Sequence, residues 1–361
     1  MAKSPNVRSN AAGRGHIAGK EKDVPHIVDT RLFTRQVLQQ LFEIAEKEMR
    51  PIVKKGGCDI LKGKSFYNLF DEPSTRTMGS FHQSASLLGC SVFNVHGAAH
   101  FSSFAKNESI ADTVRVAEAQ GFNALAFRYG SEQGIHEAVS AAERMVLINA
   151  GSGANEHPTQ AGLDALTIMQ EFGTLDGLTL GFVGDCRNSR TIRSLIRLAV
   201  QYEIKQVYFA APEMFYPSDD ILKLLALHSI PYVLSRNVSH IAPHVDVLYV
   251  TRIQWERMRG WQKLLWRLQR AKFHEAFVVD EHVVGMLRKE AIVIHPLPRV
   301  SRKWCELTPE TDKNYRSRIW KQVENGNLFR MALLAALLAP REYPVFSTAD
   351  AIYPRLIPAS S

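Results

Sequence analysis

The sequence predicts an α/β protein of two doubly wound parallel-sheet domains linked by helices. Three observations carry that expectation. Short apolar runs alternate with stretches of helical spacing along most of the chain, the pattern of parallel strands covered on both faces by helices. The series restarts after a turn at Gly173–Gly177, and 361 residues are better housed in two cores than in one. Polar and cationic residues follow the apolar runs directly, at the strand edge where open α/β sheets bind ligands.

Asp29–Lys55 is helical, with Leu38, Leu41, Phe42 and Ala45 on one face. Ser65–Phe70 is a buried strand, Asp71-Glu72-Pro73 a turn, and residues 75–88 a helix with Phe81, Ala85 and Leu88 at helical spacing. Ser91–Val95 is a strand, Ile110–Ala119 a helix, and Ala124–Phe127 and Val146–Asn149 are strands. Pro158 opens a helix to Phe172, since proline suits a first turn. In the second series Leu178–Val183, Gln206–Ala210, Tyr232–Leu234, Val247–Val250 and Ile292–Ile294 are strands. Thr191–Tyr202 and Ile221–His228 are helices. Leu328–Leu338 is apolar enough to pack back across the first domain.

Composition narrows the function. With 45% hydrophobic residues the chain can bury large cores. Met331–Leu338 is too short to span a bilayer, so no membrane role is expected. A net charge of +8 suits nucleic acid or anionic ligands. No aromatic-basic RNA motif or zinc-finger spacing is present, which favours small anions over nucleic acid. The four cysteines, Cys58, Cys90, Cys186 and Cys305, form no CxxC pair; they read as thiols in a reducing compartment, taken as the cytoplasm. Residues 1–23 are poor in apolar side chains and read as a disordered tail or linker, a tag remnant or an organelle-targeting peptide. Residues 341–361, punctuated by proline, read as an irregular tail.

The sharpest local signal is Ser74-Thr75-Arg76-Thr77 after the strand at 65–70. Three hydroxyls and a guanidinium stand at a helix N-terminus, where free N–H groups and the helix dipole favour a phosphate. An ordinary N-cap would use one hydroxyl. Other strand ends add Arg128, Asn149-Ala150-Gly151 with His157-Pro158-Thr159-Gln160, Gly184-Asp185 with Arg190, Thr251-Arg252-Ile253-Gln254 and His295-Pro296-Leu297-Pro298-Arg299. So many cations on one edge imply a pocket for strongly anionic ligands. His157 alone would read as structural; beside a helix start it reads as functional. Gly151-Ser152-Gly153 lacks the third glycine of a dinucleotide fingerprint, and no phosphate-binding GxxxxGK[ST] loop occurs. No His/Cys/carboxylate cluster has metal-ligand spacing, so neither metal nor cofactor is expected. Trp261–Arg267 is basic and amphipathic, fit for a partner or membrane surface, and reads first as a helix over the second domain.

These motifs, in this order from about residue 24 to 340, resemble the aspartate carbamoyltransferase family, most of all the domain found in eukaryotic multifunctional pyrimidine-synthesis polypeptides. The resemblance implies a carbamoyl-phosphate domain at 24–165 plus 322–340 and an aspartate domain at 166–321. It implies homotrimers with shared active sites, Ser102 and Lys106 matching the serine and lysine borrowed from a neighbour. Other pyrimidine-pathway domains or regulatory subunits are the further partners it suggests.

Site roles follow from the same resemblance. Ser74, Thr75, Arg76 and Thr77 hold the phosphate, with Arg128, Ser102 and Lys106 balancing charge. Thr77, Arg128 and His157 bond the carbonyl oxygen as it gains charge; Gln160 and the Leu297 backbone orient the carbamoyl amide and the incoming amine. Arg190, Arg252, Gln254 and Lys106 fix the carboxylates of L-aspartate. Two alternatives stand beside this. Ornithine carbamoyltransferase shares the Ser-x-Arg-Thr site, but this chain has Pro296 where that family has cysteine, and Arg252 would repel an ammonium. A degenerate paralogue would bind ligands or partners without turnover; Met78, Tyr129-Gly130, Asn107, Ser152 and the basic loop at 255–272 depart from the usual pattern.

Overall fold

Two parallel sheets form from the two series of apolar runs. The computed structural model describes residues 25–72, 74–97, 108–153, 155–255, 258, 260–300 and 305–346. The first sheet has the order β2-β1-β3-β4, with β1 Ser65–Phe70, β2 Ser91–His96, β3 Ala124–Tyr129 and β4 Val146–Ser152. The second has the order β7-β6-β5-β8-β9, with β5 Thr179–Val183, β6 Gln206–Ala210, β7 Tyr232–Ser235, β8 Val247–Val250 and β9 Ile292–Ile294. Strand order reverses beside β1 and β3 in one sheet and beside β5 and β8 in the other. Such switch points open crevices at the carboxyl ends of strands. In register, Phe70 pairs with Arg128 and Val183 with Val250, so the loops that follow β1, β3, β5 and β8 emerge at the crevices.

The helix expected over 29–55 is a 3₁₀ turn at Thr30–Leu32, then α1 Arg35–Ile44, a π-helical segment Ala45–Met49 and α2 Arg50–Lys55. Thr34 caps α1, its Oγ1 accepting from the Val37 N–H at 3.2 Å. Then come α3 Thr75–Leu87, α4 Ile110–Ala119, α5 Glu132–Ala141, α6 Pro158–Phe172, α7 Arg190–Ala199, α8 Asp219–Leu227, α9 Gly260–Phe277, α10 Glu281–Met286 and α11 Ile319–Leu338. Helix α5 was not expected from the sequence. Its Gly134 is a poor helix former, yet the site demands glycine: a Cβ there would lie 2.2 Å from the Tyr129 ring. The short α10 was also not expected, and α11 begins at Ile319, well before Leu328.

Helix α11 packs against α3 and α6, and α6 against α7. One apolar cluster therefore runs from Phe66 and Phe81 at the first sheet through Leu166 and Phe329 to Leu195 and Phe182 at the second. Burying a side chain of this size contributes about 1.5–3 kcal/mol. Gly162 makes the α6–α11 approach possible, since a Cβ there would stand 2.1 Å from Phe329 Cζ. The final helix thus ties back across the first sheet, as its apolar run predicts. Helix α9 lies over the second lobe, with Trp266 edge-on to Phe215 at 6.1 Å and Phe277 buried. Trp261, Leu264 and Leu268 are exposed. Among the described residues no helix is long and apolar enough to cross a membrane.

Candidate functional site

A cavity of about 620 Å³ opens where the carboxyl ends of the two sheets face each other. Ser74, Thr75, Arg76, Thr77, Arg128, His157 and Gln160 line it from the first sheet's loops and helices. Arg190, Arg252, Gln254 and Leu297 line it from the second. Ser102 and Lys106 lie outside the described residues. Among the described lining residues there is no aspartate or glutamate.

Local structure explains how each group arrives there. Ser74 heads α3 with φ −158° and makes no side-chain capping bond, so its hydroxyl is not spent on the helix. His157 likewise heads α6 without a side-chain cap. Its N–H donates to Ser194 Oγ at 2.9 Å; that hydroxyl in turn donates to buried Glu156, which also accepts from Arg197. The backbone at the head of α6 is thereby held, and the His157 ring lies with Nε2 3.4 Å from Thr77 Oγ1 and Nδ1 without a partner among the described residues. Burial first, then the charges of Arg190, Arg330, Arg128 and Arg76, hold its pKa well below the usual imidazole value. The ring is neutral, a hydrogen-bonding group in a cationic field.

The arginines are arranged around backbone. Arg190, in the first turn of α7, donates through Nη1 to Gly153 O at 2.9 Å. Gly151, at φ 118°, lies under two guanidiniums; a Cβ there would meet Arg190 Cζ at 3.1 Å and Arg128 Nη1 at 3.2 Å. Burial, and then Arg252, lowers the pKa of Arg76, so these two cations gain from an anion placed near both. Gln254 is held through its N–H, which donates to Asp185 Oδ2 at 3.2 Å. Leu297 sits at φ 54° before a cis Leu297–Pro298 bond, a left-handed conformation that leucine rarely adopts and that tends to collect at functional sites.

Several neighbours were not read from the sequence. Glu72 Oε2 stands 3.4 Å from Arg128 Nη2 and 3.5 Å from Arg190 Nη1; an acid one residue before the Pro-Ser-Thr turn was the available signal. Arg330 of α11 lines the cavity while donating to Ser80 Oγ (2.9 Å), Gly326 O (3.1 Å) and Thr159 Oγ1 (3.3 Å), with its guanidinium over the Phe81 ring. Burial pushes its pKa down to about 10, so it stays a cation at neutral pH. Asp164 and Gln322 form a buried network behind Gln160. No local motif marks Arg330 or Gln322, which stand far along the chain. Two strand-end groups are spent on structure instead: His295 pairs with Glu306 at 2.9 Å and Arg299 with Asp312 at 2.6 Å. Ser152 is buried and accepts from Asn149 Nδ2, and Tyr129 stacks on Phe127.

The arrangement suits a ligand pair with several negative charges. A helix N-terminus with free hydroxyls matches a phosphate. A second set of guanidiniums from the other lobe matches carboxylates. Thr77, Arg128 and His157 form a cluster that can stabilise a developing oxyanion. Among the described residues no group of three or more His, Cys, Asp or Glu could hold a metal ion.

Known proteins share this plan. Residues 25–170 match the family described as aspartate/ornithine carbamoyltransferase, carbamoyl-P binding domain, and residues 176–337 its Asp/Orn binding domain. The chloroplastic aspartate carbamoyltransferase of Arabidopsis thaliana is 37% identical over 333 residues, 92% of this chain and 82% of that protein. A multifunctional protein of Dictyostelium discoideum is 40% identical over 320 residues, 88% of this chain but 13% of its own length. Aspartate transcarbamoylase of Trypanosoma cruzi, solved with N-(phosphonacetyl)-L-aspartic acid, superposes with a TM-score of 0.79 at 32% identity, covering 87% of this chain and 95% of that one. The same enzyme solved with carbamoyl phosphate and aspartate gives 0.78.

Proposed function

The chain belongs to the aspartate/ornithine carbamoyltransferase family, and on that footing we propose that it is an aspartate carbamoyltransferase. It transfers the carbamoyl group of carbamoyl phosphate to the amine of L-aspartate, giving N-carbamoyl-L-aspartate and phosphate in de novo pyrimidine synthesis. The observation that carries the choice of amine is the second lobe's contribution to the cavity: Arg190, Arg252 and Gln254, with no carboxylate among the described lining residues. That set fits a dicarboxylate and repels the side-chain ammonium of ornithine.

The residue roles follow the chemistry. Ser74, Thr75, Arg76 and Thr77 at the start of α3 hold the phosphate. Thr77, Arg128 and neutral His157 bond the carbonyl oxygen as amine attack turns it into an oxyanion. Gln160 and the Leu297 carbonyl orient the carbamoyl amide, and Arg190, Arg252 and Gln254 fix the aspartate carboxylates. The new C–N bond forms on attack, and collapse of the oxyanion then breaks the C–O bond to phosphate. The departing phosphate takes the amine proton, so catalysis rests on positioning and fixed charge.

On this reading residues 24–165 plus 322–340 bind carbamoyl phosphate and 166–321 bind aspartate. The chain works as a homotrimer in which Ser102 and Lys106 enter a neighbour's site; Lys106 adds a cation near the phosphate and aspartate. Association with other pyrimidine-pathway domains is supported by the multifunctional relatives. The free thiols fit a cytoplasmic setting, and a fluorescent fusion found in plastids would overturn it.

The deciding experiment supplies labelled carbamoyl phosphate with aspartate or with ornithine. Carbamoyl aspartate with aspartate alone is the expected result. Product with ornithine, or with neither amine from folded protein, overturns the assignment.

A further inference from the structure

Asp164 is fully buried on α6, one turn beyond Gln160. Its Oδ1 accepts from Gln160 Nε2 at 2.8 Å and Gln322 Nε2 at 2.5 Å, and its Oδ2 accepts from the Tyr249 hydroxyl at 2.8 Å. The donors come from α6, α11 and β8, so one carboxylate joins both lobes. Burial pushes its pKa up to about 6 while these three donors, and Arg330, hold it down; it is anionic at neutral pH. An ionised carboxylate only accepts hydrogen bonds, so both amides must turn their N–H₂ groups toward it.

The consequence at the cavity wall is one of hydrogen-bond polarity. Gln160 has an N–H of its amide spent on Asp164, which orients the amide so that its Oε1 is the acceptor left to the cavity. Gln322, its N–H₂ turned to Asp164, accepts the His295 backbone N–H on Oε1 at 2.9 Å, while the His295 ring, paired through Nε2 with Glu306, accepts the Leu297 N–H on Nδ1 at 2.8 Å. With that N–H spent, the Leu297 backbone has its carbonyl to offer. The Gln160 acceptor traces back to Asp164, while the backbone carbonyl of Leu297 accepts in its own right.

We propose that Asp164 is a positioning residue that sets Gln160 as an acceptor, and so makes the cavity select an acyl phosphate bearing an amide N–H₂ over one bearing a methyl group. The proposal rests on the carbamoyl-transfer reading above. Sites built around a substrate N–H discriminate strongly against analogues lacking it, because their own polar groups are left unpaired.

Acetyl phosphate is the methyl counterpart of carbamoyl phosphate, so the two compounds test the idea. The quantity read is the inhibition constant of acetyl phosphate divided by KM for carbamoyl phosphate, measured in parent, Asp164→Leu, Asp164→Ala and Tyr249→Phe proteins. In Asp164→Leu, which removes the acceptor, the ratio is expected to fall about tenfold or more, while the inhibition constant of inorganic phosphate stays within about threefold. A merely structural defect would weaken all three ligands together and leave the ratio alone. Tyr249→Phe removes a donor from the other oxygen and keeps both amides, so its ratio stays near that of the parent. Should Asp164→Leu not fold, Asp164→Ala decides, since it removes the same acceptor without crowding; its ratio is expected to fall about threefold or more. An unchanged ratio in the deciding variant overturns the proposal. A parent protein that forms no carbamoyl aspartate marks the failure of the functional reading itself, seen before any variant is compared.

Discussion

Glu72 reaches Arg190 across the cleft, Oε2 to Nη1 at 3.5 Å, and the same oxygen stands 3.4 Å from Arg128 Nη2. One partly exposed carboxylate thus holds guanidiniums from both lobes over Gly151. Glu72→Gln keeps the shape and removes the charge. The two cations then lose a shared counter-charge, and Arg190 keeps its bond to Gly153 O but loses its ion pair across the cleft. We expect the apparent KM for aspartate to rise about fivefold, corresponding to about 1 kcal/mol for a solvent-reached ion pair. Steady-state kinetics at fixed carbamoyl phosphate checks this, and an unchanged aspartate KM refutes it.

Arg76 and Arg252 approach the cavity from different lobes, so their removal should separate the two substrates. Arg76→Ala is expected to abolish turnover through loss of phosphate binding. Arg252→Ala is expected to raise the aspartate KM far more than that for carbamoyl phosphate. The reverse pattern in a two-substrate kinetic matrix would mean that the lobes have been assigned the wrong ligands.

His157 gives a pH prediction with a definite sign. Its folded pKa lies well below the ordinary 6.5, first through burial and then through the flanking arginines. The unfolded chain therefore binds a proton near pH 6.5 that the native state refuses. Stability from this group is present above the unfolded pKa and is lost as pH falls below it. Thermal unfolding of the parent should weaken from pH 7 to pH 5 more steeply than that of His157→Gln. Equal slopes would show that the imidazole is not held neutral. In NMR spectra the His157 ring should not titrate around pH 6.5.

The proposal that sites are shared between subunits makes a mixing experiment informative. Lys106→Ala and Arg76→Ala proteins, each inactive, should recover part of the activity when dissociated and reassembled together. Some interfaces in mixed trimers then bring an intact Lys106 to a site with an intact Arg76. Mixed trimers proven by mass spectrometry yet without activity would place Lys106 and Arg76 in the same subunit's site.

Much of the scaffold was legible because its signals are local. Strands β1, β6, β8 and β9 and helices α4 and α6 follow from apolar spacing and a few caps, and their observed limits agree with that reading. Helix α5 escaped because its Gly134 and polar first turn look like a loop; the reason for the glycine, the Tyr129 ring beside it, is a tertiary contact. The early start of α11 escaped because Trp320–Asn327 is polar, and its buried Gln322 and Asn325 are satisfied by Asp164, Thr167 and Gln170 on α6.

By itself the sequence determined the alternation of strands and helices, the division into two sheets and the edge on which charged residues collect. Those properties depend on residues within a turn or two of each other, which hydrophobic period and capping chemistry report directly. Tertiary structure alone decided which of those residues share a cavity, that Arg299 and His295 are spent on Asp312 and Glu306, and that Glu72 spans the cleft. It also decided that Asp164 receives Gln322 from 158 positions away. Hydrogen bonds and ion pairs of that kind depend on distances of about 3 Å, and only the packing of α6, α11 and the two sheets brings such distant residues that close.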